Sequence, residues 1–216
     1  MRLPCVRTGA VYEEFRAAGH VRVQCGADLL QLDLRDVDKT LGYLAAKYKV
    51  IALGEGGAAG LLGLPGIAVD IPALVSLALR AVNEYATYHG FDVSLQHEQA
   101  FSMSILGAAS SPTVAAKQVA MAELTKLSVL IAQRKTWAEL QRLISVQVIQ
   151  QIAQALGIRL TKAKLAQIAP LVGAGVGAGF NAWYVAKVTE TAYHLYRERF
   201  LIEKYGPDFA IPVRPR

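Results

Sequence analysis

Apolar residues recur along most of this chain at steps of three and four, the spacing that lets a helix bury one face. Between Asp36 and Leu53 the positions Val37, Leu41, Leu44, Ala45, Tyr48 and Ala52 share such a face, so a helix is predicted there, with Asp36 and Asp38 near the positive end of its dipole. Asp70-Ile71-Pro72 has the form of a helix start, because an Asp side chain caps free N–H groups and proline is tolerated in the first turn. That helix is expected to reach His89 and stop at Gly90. A break at 107–112 precedes a helix from Thr113 to Gln133. Thr136 and Glu139 match a capping box, and Trp137, Leu140, Ile144, Val148, Ile152 and Leu156 follow as one stripe ending before Gly157. A shorter helix capped by Thr161 leads to Pro170, then a long one from Leu171 to Tyr205 is closed by Gly206 and Pro207.

The outer segments are less regular. His20 to Gln24 alternates like a strand, but a short amphipathic helix over 11–18 is the reading adopted for the amino-terminal part. The expected organisation is all-α, a single-domain multi-helix bundle: an amino-terminal segment 1–31, a helical domain 32–206 and an extended tail 207–216.

Two segments depart from the ordinary apolar stripe by being rich in glycine and nearly free of charge. In Gly54-Glu55-Gly56-Gly57-Ala58-Ala59-Gly60 the glycines either interrupt regular structure or let two backbones touch. In 173–179, Gly173 with Gly177 and Gly175 with Gly179 form overlapping G-x-x-x-G pairs, flat strips onto which another backbone can settle. Gly56, Gly60, Gly173, Gly175, Gly177 and Gly179 are therefore the expected close-packing positions. Residues 165–186 carry no charge and are nominally long enough to cross a bilayer, yet Gln167, Pro170 and Asn181 and the scarcity of Leu and Ile make insertion marginal. A close-packed core is favoured over spanning, with reversible surface association as a third placement.

Composition sharpens this picture. The 216 residues are 53% hydrophobic and 19% charged, more apolar than an ordinary soluble domain, with a net charge of +6 that favours anionic partners such as acidic headgroups. Pro4 and Arg7 interrupt what a secretory signal would need, and Cys5 and Cys25 have no metal or disulfide spacing, so a reduced cytoplasmic protein is expected.

Chemistry is sparse. Gly54-x-Gly56-x-x-Ala59 imitates a dinucleotide-binding turn, but Gly173-x-Gly175-x-x-Ala178 does the same in a helical context, and further strands are lacking. The phosphate-loop, zinc-protease and serine-elbow motifs are absent, and His20, His89, His97 and His194 are scattered, so no metal, cofactor or catalytic residue is predicted. Polar residues within or beside the apolar segments are the site candidates, since burying one unpaired is costly: Glu55, Asp70, Arg80, Asn83, Glu84 and Asn181. Arg80 and Glu84 are spaced to pair on one helix, and Glu55 with Asp70 would make a carboxylate dyad, although a cap and a structural ion pair are simpler roles. Tyr193, Tyr196 and Phe200 share a face suited to core docking, with Arg197 and Arg199 projecting elsewhere; nucleic acid is not an expected partner.

The ordered series Gly54-Glu55-Gly56 through Gly66, Asp70-Ile71-Pro72-Ala73-Leu74, Arg80, Tyr88-His89-Gly90-Phe91-Asp92, Gly173 through Asn181-Ala182 and Tyr196-Arg197-x-Arg199-Phe200-Leu201 resembles the EcsC protein family. The resemblance covers about Leu32 to Gly206. The family is named for a bacterial operon that also encodes an ABC transporter's ATPase and permease. It implies a bacterial, intracellular protein associated with a membrane or transporter, and it supplies no reaction. Two functions are expected on these grounds: a helical accessory protein on the inner face of the cytoplasmic membrane or on a membrane protein complex there, or an enzyme or carrier holding a small or lipid-like ligand between the glycine segments.

Overall fold

A computed structural model describes residues 6–61, 64–136, 138–140 and 173–210. Among them every regular element is helical, and no strand occurs. In chain order these are α1 (Thr8–Ala17), α2 (Gly26–Leu29), α3 (Leu34–Leu41), α4 (Leu44–Leu61), α5 (Leu64–Tyr88), α6 (Gln96–Ala109), α7 (Val114–Ala132) and α8 (Gly173–Tyr205), followed by a 3₁₀ turn at Pro207–Ala210.

The amino-terminal helix forms because Val11 and Phe15, four apart, bury one stripe in the common core, while His20 to Gln24 turns back through a bond from Arg16 Nη1 to the Val23 carbonyl (2.8 Å). The helix predicted over 36–53 is two helices. Asp33 caps the first by accepting from the Arg35 N–H (2.8 Å), and the chain bends at Gly42 so that Leu41 and Leu44 on either side are both buried.

A second correction concerns Asp70. The helix expected to begin there starts at Leu64, so Asp70 lies in its second turn and Pro72 inside it. Tertiary packing overrides the mid-helix cost of proline, about 3 kcal/mol in isolated helices, and frees the Asp70 carboxylate to bond another helix. At the far end the expectation is met: α5 ends at Tyr88 and Gly90 takes φ +88°. That conformation also brings the Gly90 backbone against Gly26, where a Cβ on residue 26 would lie 2.5 Å from the Gly90 oxygen.

The predicted break at 107–112 is shorter, since α6 continues through Gly107 to Ala109. Thr113 then caps α7 by accepting from the Ala116 N–H (3.1 Å). Thr136 and Glu139 form the capping box, with Thr136 N–H 2.8 Å from Glu139 Oε2. The stripe residues Trp137, Ile144, Val148, Ile152 and Leu156 and the helix expected after Thr161 lie outside the described residues. The tail expected to be extended begins instead with the 3₁₀ turn at Pro207–Ala210.

The 33 residues of α8 form the axis of the bundle. This helix packs most extensively along α4 and also meets α5, α6 and α7, while α1, α2 and α3 lie against α5. Its buried stripe of Val185, Val188, Ala192, Leu195, Tyr196 and Phe200 meets Leu44, Tyr48, Leu74, Ala81, Tyr88 and Phe101 in one core.

Candidate functional site

Helices α4 and α8 approach closely at Gly56, where a Cβ would stand 2.6 Å from the Gly177 oxygen and 2.7 Å from Asn181 Nδ2 on α8. Glycine is required there because any side chain would enter the opposing backbone. Beside this crossing Asn181 Nδ2 donates to Asp70 Oδ1 (2.9 Å), both residues being buried, so three helices are tied at one point. The glycine strips are therefore two-sided. Gly177 is buried, whereas Gly175 and Gly179, expected to be close-packed, have open space where a Cβ would be. Gly60 and Gly173 are helical positions on α4 and α8.

Of the six polar candidates, Asp70 and Asn181 are bonded to each other, and Arg80 and Glu84 line one cavity. Glu55 stands exposed on α4, away from any bond with Asp70, and partial desolvation raises its pKa. Asn83 is fully buried in α5, and among the described residues neither of its side-chain amide atoms is hydrogen-bonded. Arg80 and Glu84 do not form the expected pair. Glu84 instead accepts from Lys47 Nζ (2.7 Å) and from the Tyr48 hydroxyl, both on α4, because Lys47 arrives from a neighbouring helix at shorter range. Burial, reinforced by that bond to Glu84, raises the Tyr48 pKa; the Arg80 charge opposes the rise.

Next to this pair a second carboxylate enters from α1, where no candidate had been read. Glu14 accepts from the hydroxyls of Tyr43 (2.9 Å) and Tyr88, which lie 2.8 Å from each other. Burial first, then the bonds to Glu14 and Tyr43, raise the Tyr88 pKa. Together Glu14, Lys47, Arg80 and Glu84 line a cavity of about 140 Å³, joined by Ala10 of α1 and by Arg7 just before that helix.

A larger groove of about 400 Å³ runs between α3, α4 and α8, floored by Leu41, Ala45, Tyr85, Ala186 and Tyr193 and edged by Asp38, Lys49 and Glu190. Asp38 pairs with Arg197 (3.0 Å), whose guanidinium lies 5.1 Å from the Tyr193 ring centre.

At the other end of α8, Arg199 corrects the expectation that it projects away from the aromatic face. It is buried between the rings of Phe91 (4.2 Å) and Phe101 (4.6 Å) and forms a bidentate pair with Glu98 of α6, one arm 2.5 Å long. Burial alone would raise the Glu98 pKa, but the Arg199 charge and bonds, aided by His97, hold it below the ordinary value. Nearby His89 is fully buried, bonded through Nδ1 to the Tyr85 carbonyl (2.7 Å) and stacked on Tyr196. Burial pushes its pKa down from 6.5 to about 4, against the Tyr85 bond and with help from the Arg197 charge. The unfolded chain therefore binds the proton more readily than the folded one, so this contribution to stability is complete above pH 6.5 and declines toward pH 4. Urea midpoints measured across that interval should fall with pH, less steeply in His89→Phe.

Among the described residues no group of three or more His, Cys, Asp or Glu side chains is placed to hold a metal ion, and no helix is long and apolar enough to cross a membrane. The amino-acid pattern of the EcsC protein family matches residues 13–201. An uncharacterised protein of Bacillus subtilis, YdbA, is 28% identical over 152 residues, which cover 69% of this chain and 53% of YdbA, so the chain spans about half the length of that relative. Protein EcsC of the same organism is 26% identical over 193 residues, covering 89% of this chain and 76% of that protein. No solved structure matches. With the tied glycine crossing of α4 and α8 falling within the matched residues, this chain belongs to the EcsC protein family.

Proposed function

We propose that this protein is an accessory protein that associates reversibly with the inner face of the cytoplasmic membrane through the end of the bundle where α4 finishes and α5 and α8 begin. The observation that carries this reading is the outer face of that end. Val50, Leu53 and Leu61, spaced along one side of α4, are 66%, 41% and 80% exposed, and Trp183 on α8 is 54% exposed. Glycines 54, 175 and 179 have open space where a Cβ would be and leave bare backbone on the outer sides of α4 and α8. Between Lys49 and Arg80 the only charged residues are Glu55 and Asp70, and α8 carries none before Lys187.

Lys187 Nζ lies 4.8 Å from the Trp183 ring centre, the pairing of an amphipathic aromatic with a cation that suits a headgroup layer. Together with the net charge of +6, this supports an anionic leaflet as the partner. The absence of a spanning helix among the described residues is consistent with shallow contact.

In cosedimentation with phosphatidylglycerol vesicles the chain should partition to the lipid. Val50→Glu and Leu61→Glu should each weaken that partitioning by about tenfold or more, since a buried Leu or Val is worth roughly 1.5–3 kcal/mol. Unchanged partitioning in both variants would refute the reading.

A second reading, a carrier of a lipid-like ligand, is supported by the groove of about 400 Å³, which falls in the size range of small-molecule sites and has an apolar floor. A bound amphiphile in native mass spectrometry, displaced by Ala186→Phe, would establish it; an empty chain purified from cells would argue against it.

A further inference from the structure

We propose that the cavity between α1, α4 and α5 binds a singly charged phosphodiester group, held by the guanidinium groups of Arg7 and Arg80. Five charged side chains line it: Arg7, Lys47 and Arg80 against Glu14 and Glu84. Their formal charges leave one positive charge in excess, the complement of a monoanion.

The excess is localised by the bonding. Lys47 is spent on Glu84 at 2.7 Å, and both Glu14 oxygens are engaged by the Tyr43 and Tyr88 hydroxyls. Neither Arg7 nor Arg80 enters an ion pair among the described residues, although Glu84 lies one turn from Arg80 on the same helix. Both arginines line the same cavity without an ion pair, and Arg80 also reaches the Tyr48 hydroxyl. Guanidinium forks match the paired oxygens of a phosphate group.

Size and access agree with this assignment. The volume of about 140 Å³ is several times the roughly 30 Å³ that a water occupies in the liquid. Arg7 and Arg80 line the cavity and are both exposed, so an anion reaches them from solution without opening the core. The carboxylates set an upper limit on charge: fixed near the cavity and unable to leave their partners, they disfavour a dianion. Phosphodiesters occur both as free small molecules and as lipid headgroups, and Lys47 and Arg80 lie on the helices that form the apolar end.

The test uses the full chain and glycerophosphoglycerol as a soluble probe, with ³¹P line broadening as the readout. Saturable binding is expected, weakened by about tenfold in Arg80→Gln and in Arg7→Gln, as the loss of a charged hydrogen bond of about 1.5 kcal/mol implies. Arg22→Gln, which removes an exposed charge outside the cavity, should leave binding unchanged. Both cavity substitutions are at exposed positions, and circular dichroism would verify that the variants fold.

Parallel sedimentation with phosphatidylglycerol vesicles separates the sources. A greater loss of vesicle affinity in Arg80→Gln than in Arg22→Gln identifies the lipid headgroup; equal vesicle affinity with loss of soluble-probe binding identifies a free phosphodiester. Because Leu61→Glu should weaken vesicle binding by about tenfold or more and leave the soluble probe bound, this site and the membrane reading fail separately. Absence of saturable broadening, or broadening equal in all three arginine variants, would overturn the proposal.

Discussion

Arg199→Met should destabilise the fold by about 3–5 kcal/mol, the cost of leaving a buried carboxylate without its partner. Both members of the pair are 3% exposed, so solvent cannot substitute for the lost guanidinium; the rings of Phe91 and Phe101 offer Glu98 no hydrogen bond, and His97 Nε2, 3.4 Å from Glu98 Oε1, replaces only part of the bidentate contact. Equilibrium urea unfolding would read the change as a lower midpoint. The double variant Glu98→Met, Arg199→Met should recover most of the loss, because it removes the stranded charge as well as the bond. The same pair predicts acid sensitivity. The Glu98 pKa is lowered in the fold, so its contribution is present above the unfolded value near 4.3 and is lost as pH falls through the folded value. A double variant no more stable than Arg199→Met would show that the penalty is not electrostatic.

Gly56→Leu should cost about 3 kcal/mol or more by driving a side chain into the α8 backbone, and Gly177→Leu should act in the same direction from the other side. The Gly177 oxygen and Asn181 amide stand 2.6 and 2.7 Å from the first added carbon, and the former is main chain that cannot rotate away. Gly179→Ala provides the contrast. Open space surrounds that position within a regular helix, so alanine should stabilise by roughly 0.5–1 kcal/mol through its better helix propensity. Thermal melting of the variants would measure both effects, and a shift of the same sign at Gly56 and Gly179 would contradict the two-sided arrangement.

These opposite signs mark the limit of sequence reading. The small-residue segments 54–60 and 173–179 identify where helices meet, because repeated loss of Cβ has few other uses on a helix. Which glycines face the partner depends on the rotation of α8, and that is fixed by Asn181 bonding Asp70 across 111 residues of chain. Local rules also misplaced Asp70: Asp-x-Pro reads as a helix start wherever tertiary contacts are ignored. Long-range ion pairs leave even less trace. Glu98 and Arg199 are separated by 101 positions, and the available hint was Glu98 preceding the apolar Ala100 and Phe101. Glu14 lay in the segment whose periodicity was weakest, so the cavity it lines was not legible, although Arg80 and Glu84 on its opposite wall were. By contrast, the all-α class and the stops at Gly90 and Gly206 were legible, because positive φ at glycine is a local requirement of the chain.

The length of α8 has a mechanical consequence. At about 1.5 Å per residue its 33 residues form a rod of about 50 Å without a proline to act as a joint. The Asn181 tie sits near its first turns, the groove residues Ala186 and Tyr193 along its middle, and Arg199 near its last. Between the Asn181 tie and Arg199 neither glycine nor proline interrupts the helix, so a rotation imposed at Asn181 is expected to turn this stretch as one lever and to be registered at its far extremity.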